Sequence, residues 1–256
     1  MMNLIDKNFV KVQFNKGLES YANEASVQEY MAQKLMDELC VACDRPFGHI
    51  FEVGSGTGFL TYRIIEKLQF DNLTVNDIAK TSKQKVQELE KVYKMTIPFI
   101  EGDAEDVDFP HQLDAVISGS TIQWFKNIPA FFNKVAHSLQ PNGLLAFSTF
   151  GCHNYKEIKA LTGVGLDYLC MSEICTLLRP KYTILFSQEW TEVKEFSHPL
   201  EVLRHMKHTG VNGVRKTPLG IMKLNDFIRN YGLLFTNQDQ KVTLTYHPMI
   251  IIAKKK

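Results

Sequence analysis

The 256 residues, 45% apolar and 22% charged, suffice for one well-buried globular domain, and 15 Gly with 9 Pro exclude a fibrous or disordered chain. A formal charge of +1 argues against a general polyanion binder, and so against nucleic acid as a partner. No apolar run reaches the length of a membrane span, and the first seven residues show neither a signal-peptide apolar region nor a small-residue cleavage site, so the expected compartment is the cytoplasm.

The first 45 residues read as a helical extension, because Val27, Tyr30, Met31, Met36 and Leu39 do not alternate as strand residues would. Cys40-x-x-Cys43 follows, but no second pair and no His-x-x-x-His completes a zinc site, so no metal is expected. All five cysteines are read as free reduced thiols packing as small hydrophobes. After Gly48, assigned to a turn, short apolar runs alternate with helical patterns. Strands are predicted at 49–53, 73–77, 97–100, 113–118 and 144–150, with helices at 60–68 and 81–92. A third helix opens at Asn127-Ile128-Pro129, a capping Asn with an early Pro, and stops at Pro141-Asn142-Gly143. Residues 155–180 are irregularly helical, 182–193 and 241–253 are long β segments, and 199–231 lie between those two as helices and loops. Strands separated by helices of this length build a parallel sheet. The expectation is one α/β domain over 1–256: a helical cap at 1–45, a core at 46–150, and at 151–256 the remaining strands with a helical insertion at about 199–231. Its seven-stranded sheet is mostly parallel, with an antiparallel last strand.

Glu52-Val53-Gly54-Ser55-Gly56-Thr57-Gly58 falls where the first strand turns into the first helix. Glycines there allow a tight turn and let a ligand approach the backbone. The dinucleotide fingerprint would place its third glycine at Phe59; the spacing here is Gly-x-Gly-x-Gly, which disfavours a dehydrogenase. A pyrophosphate needs the helix N-terminus uncovered. S-adenosylmethionine has no phosphate and lays its amino-acid moiety against the loop, so Glu52, Gly54, Ser55 and Gly56 are candidate cofactor-binding residues. Three more features fall at the carboxyl ends of successive strands, where open α/β sheets take ligands. Asp77, followed by Ile78, is placed to accept two ribose hydroxyls. Gly102-Asp103-Ala104-Glu105 brings Asp103 and Ala104 to an adenine ring, and Ser118-Gly119 offers a backbone carbonyl to the ligand ammonium. Any one of these acids alone reads as a helix cap or turn residue. Four sites in register are hard to explain that way.

Together these motifs resemble the class I S-adenosylmethionine-dependent methyltransferases, and the chain is most similar to the malonyl-acyl-carrier-protein O-methyltransferases of biotin synthesis. The cofactor motifs are shared by many methyltransferases. The discriminating similarity lies in Ser20-Tyr21 and Ala25-x-x-Gln28, in Gln123-Trp124 and Phe147-Ser148-Thr149, in Met206-Lys207-His208-Thr209-Gly210, and in Leu244-Thr245-Tyr246-His247. Two positions depart from the family pattern: Gly119-Ser120-Thr121 where Asn-x-Ala is common, and Lys16 where Arg is common. The resemblance implies a Rossmann-like fold. It also implies a methyl transfer that leaves S-adenosylhomocysteine, malonyl on acyl-carrier protein or coenzyme A as acceptor, and a monomer.

A sulfonium methyl is already activated, so the protein must place a nucleophile in line behind it. A malonyl carboxylate is ionised at neutral pH and needs no general base. It does need a cation that leaves the attacking lone pair free. Residues 202–225 carry Arg204, Lys207, Arg215, Lys216 and Lys223 without one Asp or Glu. Arg204 and Lys207 share a helix face, with His208 four residues from Arg204. Arg204, Lys207 and Arg215 are taken as candidate substrate contacts, and Lys216 and Lys223 as solvated basic surface. Tyr21 is a candidate lid over the cofactor or else a half-buried packing residue, Trp124 a pocket wall or core residue, and Tyr246 a packing residue with a secondary claim on the site. Other small-molecule methyltransferases and a non-catalytic cofactor binder are the rival readings; a binder would be expected to have lost Asp77 or the glycines.

Overall fold

The computed structural model describes residues 5–8, 10–12, 15, 24–163, 165–209 and 221–256. Helix α1 (Ser26–Ala42) buries Val27, Gln28, Met31, Ala32, Leu35, Met36 and Leu39, a stripe of helical period. Tyr30 falls off that stripe; it is half exposed and meets Trp190 edge-on.

Strands and helices then alternate: β1 (Phe47–Val53), α2 (Phe59–Lys67), β2 (Phe70–Asp77), α3 (Ser82–Tyr93), β3 (Phe99–Glu101), β4 (Leu113–Gly119), α4 (Ile128–Ser138) and β5 (Leu139–Phe150). Gly48 belongs to β1 rather than to a turn. Its N–H and that of His49 donate to the Asp114 carboxylate at 2.8 and 2.9 Å, and a Cβ on Gly48 would lie 2.8 Å from the same oxygen. Helix α4 opens as its sequence indicates, with Ala130 N–H donating to Asn127 Oδ1 at 3.0 Å. It does not run on to Pro141. It ends at Ser138, and Leu139 at once pairs with Leu113 ahead of a shift in register.

The rest of the chain forms α5 (Lys156–Thr162), α6 (Met171–Leu178), β6 (Tyr182–Glu189), β7 (Glu192–Phe196), α7 (Pro199–His208), α8 (Ile221–Phe235), β8 (Val242–Tyr246) and β9 (Pro248–Lys255). Seven strands make one sheet in the order β3-β2-β1-β4-β5-β9-β6, with β9 antiparallel to both neighbours. This is the Rossmann-like α/β sheet expected, its last strand reversed. Each long β segment divides, however. Trp190 N–H makes a bond to Pro248 O, and beyond it the two chains leave the sheet to form the separate antiparallel pair β7–β8.

The sheet is covered on both faces. Phe131, Phe132 and Val135 of α4 and Leu178 of α6 pack on Phe51 and Phe147 on one side. Leu35 and Leu39 of α1, Ile64 of α2 and Val86 of α3 pack on Ile50 and Ile117 on the other. A third cluster joins α1, α5, α7, α8 and β8 through Val27, Met31, Ile158, Met206, Tyr231 and Leu244. Each such fully buried aliphatic side chain contributes about 1.5–3 kcal/mol over an exposed one. Among the described residues no helix is long and apolar enough to cross a membrane.

The cysteine reading needs correction. Cys152 and Cys170 are joined in a disulfide between the loop after β5 and the start of α6, while Cys40, Cys43 and Cys175 are free. The pairing is set by how that loop folds back, which spacing along the chain does not reveal.

Candidate active site

The carboxyl ends of β1, β2, β3 and β4 meet around a cavity that opens to solvent. Its floor is the glycine loop. Gly54 N–H and Ser55 N–H donate to Asn76 O at 2.9 and 3.1 Å, folding the loop back on the end of β2. Gly54, Gly56 and Gly58 all have left-handed φ, between 51° and 83°. The first two are glycine for different reasons. A Cβ on Gly54 would sit 2.1 Å from Thr121 Oγ1, whereas one on Gly56 would meet nothing within 4 Å and project into open space. Gly56 is therefore where a ligand can lie directly on the backbone.

Asp77 Oδ2 accepts Gly56 N–H and Oδ1 accepts Ala79 N–H, both at 2.7 Å. Burial pushes its carboxyl up, and these two N–H groups pull it back. Each oxygen keeps a lone pair for a ligand hydroxyl. Ile78 and Ala104 add apolar wall, and Asp103 lines the same cavity. Asp103 is already engaged: Lys7 Nζ bridges it at 2.9 Å to Glu105 at 2.7 Å and lies over the Phe125 ring. The sequence reading missed Lys7, because nothing local in the N-terminal extension marks a lysine that pairs 96 residues away.

Two predicted cofactor residues lie behind the wall instead of on it. Ser118 is fully buried and donates its hydroxyl to Val53 O at 2.9 Å, tying β4 to β1; Gly119 beside it does line the cavity. The Gly119 carbonyl accepts from Thr121 Oγ1 at 3.0 Å, so the residue that departs from the family pattern both covers Gly54 and occupies that carbonyl. Glu52 is fully buried beneath the loop, and neither carboxylate oxygen has a hydrogen-bond partner. Burial pushes its carboxyl up to about 8, the Thr61 hydroxyl opposing and the Asp77 charge adding to the rise. Gln28 of α1 lines the cavity with its Oε1 also unpartnered, as is the buried Ser55 hydroxyl. Unpaired buried acceptors are costly and call for a donor or a cation. The signal for Gln28 was a polar residue on the apolar stripe of α1.

The candidate substrate residues fare differently. Arg204 and Lys207 lie on α7 with exposed side chains and are not part of the cavity wall. The inward polar residue of α7 is His205, which follows Val202 and precedes Met206 on the buried stripe. Its Nδ1 is 3.0 Å from Glu24 Oε2, and its Nε2 is 2.6 Å from the Tyr246 hydroxyl. A histidine three residues after the first apolar residue of that stripe was the available signal. Tyr21, Arg215 and Lys216 lie outside the described residues. Trp124 is buried on the cavity wall, as read. No metal-ligand cluster occurs among the described residues.

This cavity suits a ligand with a flat ring, vicinal hydroxyls and a cationic end: an apolar wall and Asp103 at one edge, Asp77 in the middle, and unpaired Gln28 and Ser55 acceptors with Glu52 behind them. A family model described as a methyltransferase domain matches residues 51–147. The chain is 36% identical to the malonyl-[acyl-carrier protein] O-methyltransferase of Bacteroides helcogenes, over 98% of this chain and 100% of that one. It is 33% identical to the protein of the same name from Prosthecochloris aestuarii, over 99% and 96%. Among solved structures, the YcgJ protein of Bacillus subtilis superposes with a TM-score of 0.63 at 12% identity, over 88% of this chain and 99% of that one. The N-methyltransferase NodS of Bradyrhizobium japonicum, solved with S-adenosyl-L-homocysteine, gives 0.54 at 9%, over 87% and 86%. At such identities these two share the fold.

Proposed function

The chain belongs to the malonyl-acyl-carrier-protein O-methyltransferases, and from that premise we propose that it methylates the free carboxylate of malonyl-acyl-carrier protein, or of the coenzyme A thioester, early in biotin synthesis. The observation that carries this reading is a ligand-ready cavity formed by Gly54, Gly56, Asp77, Asp103 and Gly119, in a chain related to these enzymes over 98% of its length. S-adenosylmethionine supplies an activated methyl on a sulfonium, and S-adenosylhomocysteine is the product.

The residues present fit that donor. Asp77 would take the ribose hydroxyls, Ile78 and Ala104 would flank the adenine, and Asp103 would face its amino group across the Lys7 bridge. Ser55, Gly56 and Gly119 would hold the amino-acid end, with Glu52 buried behind them. Tyr21 would close over the site. In the transfer, a carboxylate oxygen forms a bond to the methyl carbon as the carbon–sulfur bond breaks and its electrons return to sulfur. No proton moves, so no general base is required, and the protein's contribution is alignment.

Arg204 and Lys207, with Arg215 as a further candidate, suit the docking of an acidic carrier better than a buried clamp, because exposed clustered charge steers association. A cytoplasmic monomer completes the proposal. Mass spectrometry of malonyl-carrier incubated with S-adenosylmethionine tests it: the expected result is the gain of one methyl on the malonyl group. No gain on the carrier or the coenzyme A thioester, or methylation of free acids in preference to both, overturns it.

A further inference from the structure

Two of the tyrosine hydroxyls inside the molecule are satisfied in the ordinary way. Tyr182 donates to Phe132 O at 2.8 Å and Tyr231 to Thr243 O at 2.7 Å, each to one backbone carbonyl. Tyr155, Tyr168 and Tyr246 differ: they form one aromatic cluster with Phe150, and the Tyr246 hydroxyl meets a side chain, His205 Nε2 at 2.6 Å, in place of a backbone carbonyl. The Tyr155 hydroxyl lies beside those of Tyr246 and Thr209, and that of Tyr168 beside the Asn154 side chain. The Tyr155 and Tyr246 rings meet edge-on at 4.9 Å, and Phe150 spans between Tyr168 and Tyr246.

This arrangement is held against strain. Tyr155 has φ 54° and ψ 38°, a left-handed conformation that costs a bulky side chain free energy and clusters at functional sites. The neighbouring loop is stitched to β8 to keep it there. Tyr155 N–H donates to Thr245 O at 2.8 Å, His247 N–H to Asn154 Oδ1 at 3.1 Å, and Thr245 N–H to the buried Glu157 carboxylate at 3.0 Å. The Cys152–Cys170 disulfide closes the segment that carries Tyr155 and Tyr168.

The cluster adjoins the cofactor cavity. Tyr168 packs against the group formed by Val10, Trp124 and Leu166, of which Val10 and Trp124 are cavity wall. Ser120, also on that wall, reaches Met31 of the cluster's apolar surround with its hydroxyl 3.9 Å from sulfur.

We infer that Tyr155, Tyr168 and Tyr246 form the subsite that receives the acceptor carboxylate, with His205 and Glu24 as positioning residues behind Tyr246. This deepens the functional reading above and rests on it. Phenol hydroxyls are neutral donors that orient a carboxylate while leaving it more nucleophilic than a two-pronged guanidinium would. Burial pushes all three phenols upward, so they stay protonated. Glu24 fixes the proton on His205 Nδ1, and in the neutral ring Nε2 accepts a hydrogen bond from the Tyr246 hydroxyl. An imidazolium instead donates from Nε2 to the Tyr246 oxygen and turns that O–H toward the acceptor. The groups facing His205 are Glu24 ahead of α1, Lys194 on β7, His208 on α7 and Tyr246 on β8. Arrival of a carboxylate therefore favours the protonated ring.

The test is steady-state kinetics on malonyl-carrier for Tyr155→Phe, Tyr246→Phe, His205→Gln and the control Tyr231→Phe, with cofactor affinity measured separately. The first two are expected to lose about tenfold or more in kcat/KM at unchanged cofactor affinity. Tyr231→Phe, which removes a backbone-directed hydroxyl, keeps its kcat/KM. Burial holds the His205 imidazole below the ordinary histidine value, so wild type is expected to lose kcat/KM as pH rises through that lowered range, and His205→Gln loses this dependence. An active wild type whose Tyr155→Phe and Tyr246→Phe variants stay within twofold overturns this inference alone. So does an equal loss in all the variants, the control included. A wild type that does not methylate malonyl-carrier overturns the functional reading and this one with it.

Discussion

Gly56→Ala separates folding from cofactor binding more cleanly than any other single change, and Gly54→Ala supplies its contrast. At Gly56 the added methyl meets no atom within 4 Å, so the folded state bears only the cost of a left-handed alanine at φ 51°. That cost is about 1 kcal/mol, a fall in Tm of about 2–4 °C for a domain of this size. The same methyl stands where, on the proposed reading, the cofactor rests on the backbone. Overpacking of about 1–3 kcal/mol in the complex weakens binding about ten- to a hundredfold. At Gly54 the balance reverses. The methyl would lie 2.1, 2.6 and 2.8 Å from Thr121 Oγ1, Cγ2 and Cβ, at φ 78°. Strain and overlap together cost about 2–5 kcal/mol of fold stability. Thr121→Gly removes all three clashing atoms, so a double-mutant cycle should recover a coupling of about 0.5–3 kcal/mol. Calorimetric melting gives the stabilities, and isothermal titration with S-adenosylmethionine gives the affinities. A folded Gly56→Ala protein that binds the cofactor as wild type does would show that the glycine loop is not its seat.

Glu52 makes stability depend on pH. Its folded pKa of about 8 exceeds the ordinary 4.5, so between those values the folded state keeps a proton that the unfolded chain has lost. Stability then falls as pH rises across that window, by up to about 1.4 kcal/mol per unit. Glu52→Gln should flatten the slope in pH-dependent melts, and an unchanged slope would refute the assignment. Lys7→Met removes the bridge to Asp103 and Glu105 and should speed cofactor release about tenfold, the equivalent of about 1.4 kcal/mol; stopped-flow release at the wild-type rate would count against it. Arg204→Glu with Lys207→Glu should raise KM for the carrier substrate at low salt and leave cofactor affinity alone, the difference fading as salt screens it. Equal KM values at low salt would exclude docking on α7. Cys170→Ser should cost about 3 kcal/mol, from a crosslink spanning 18 residues. A reductant should then lower the wild-type Tm toward that of the variant, and a wild-type melt indifferent to reductant would rule the bond out.

The parallel core was legible because its signals are local. Leu60, Ile64 and the apolar run ending at Val53 announce a strand-turn-helix unit, and glycine spacing places a ligand at the turn. Asp77 and Asp103 followed once their strands were counted. What could not be read depends on distant partners. Gly48 looks like a turn residue until Asp114, 66 residues later, is seen accepting its N–H. Residues 182–193 look like one strand until Pro248 is found ending the ladder at Trp190. Arg204 and Lys207 drew attention by charge, yet charge on an amphipathic helix marks its wet face, and burial of the one histidine on the dry face was the informative event.

Helix α1 joins these observations. Gln28 and Ala32 face the cofactor cavity, while Val27 and Met31, on the adjacent side of the same helix, face the tyrosine cluster. Leu35 and Leu39, further along it, are fixed in the core of the sheet. On the proposed reading one rigid element thus sets the relation between donor and acceptor sites, which an in-line displacement requires, since a misplacement of about 1 Å can cost on the order of a hundredfold. Glu24, just ahead of α1, ties the same element to His205 of the insertion. A change there should alter turnover more than cofactor affinity, because the proposed cofactor contacts lie mainly at the ends of β1, β2, β3 and β4, whereas on that reading the distance between methyl and carboxylate depends on how α1 and α7 meet.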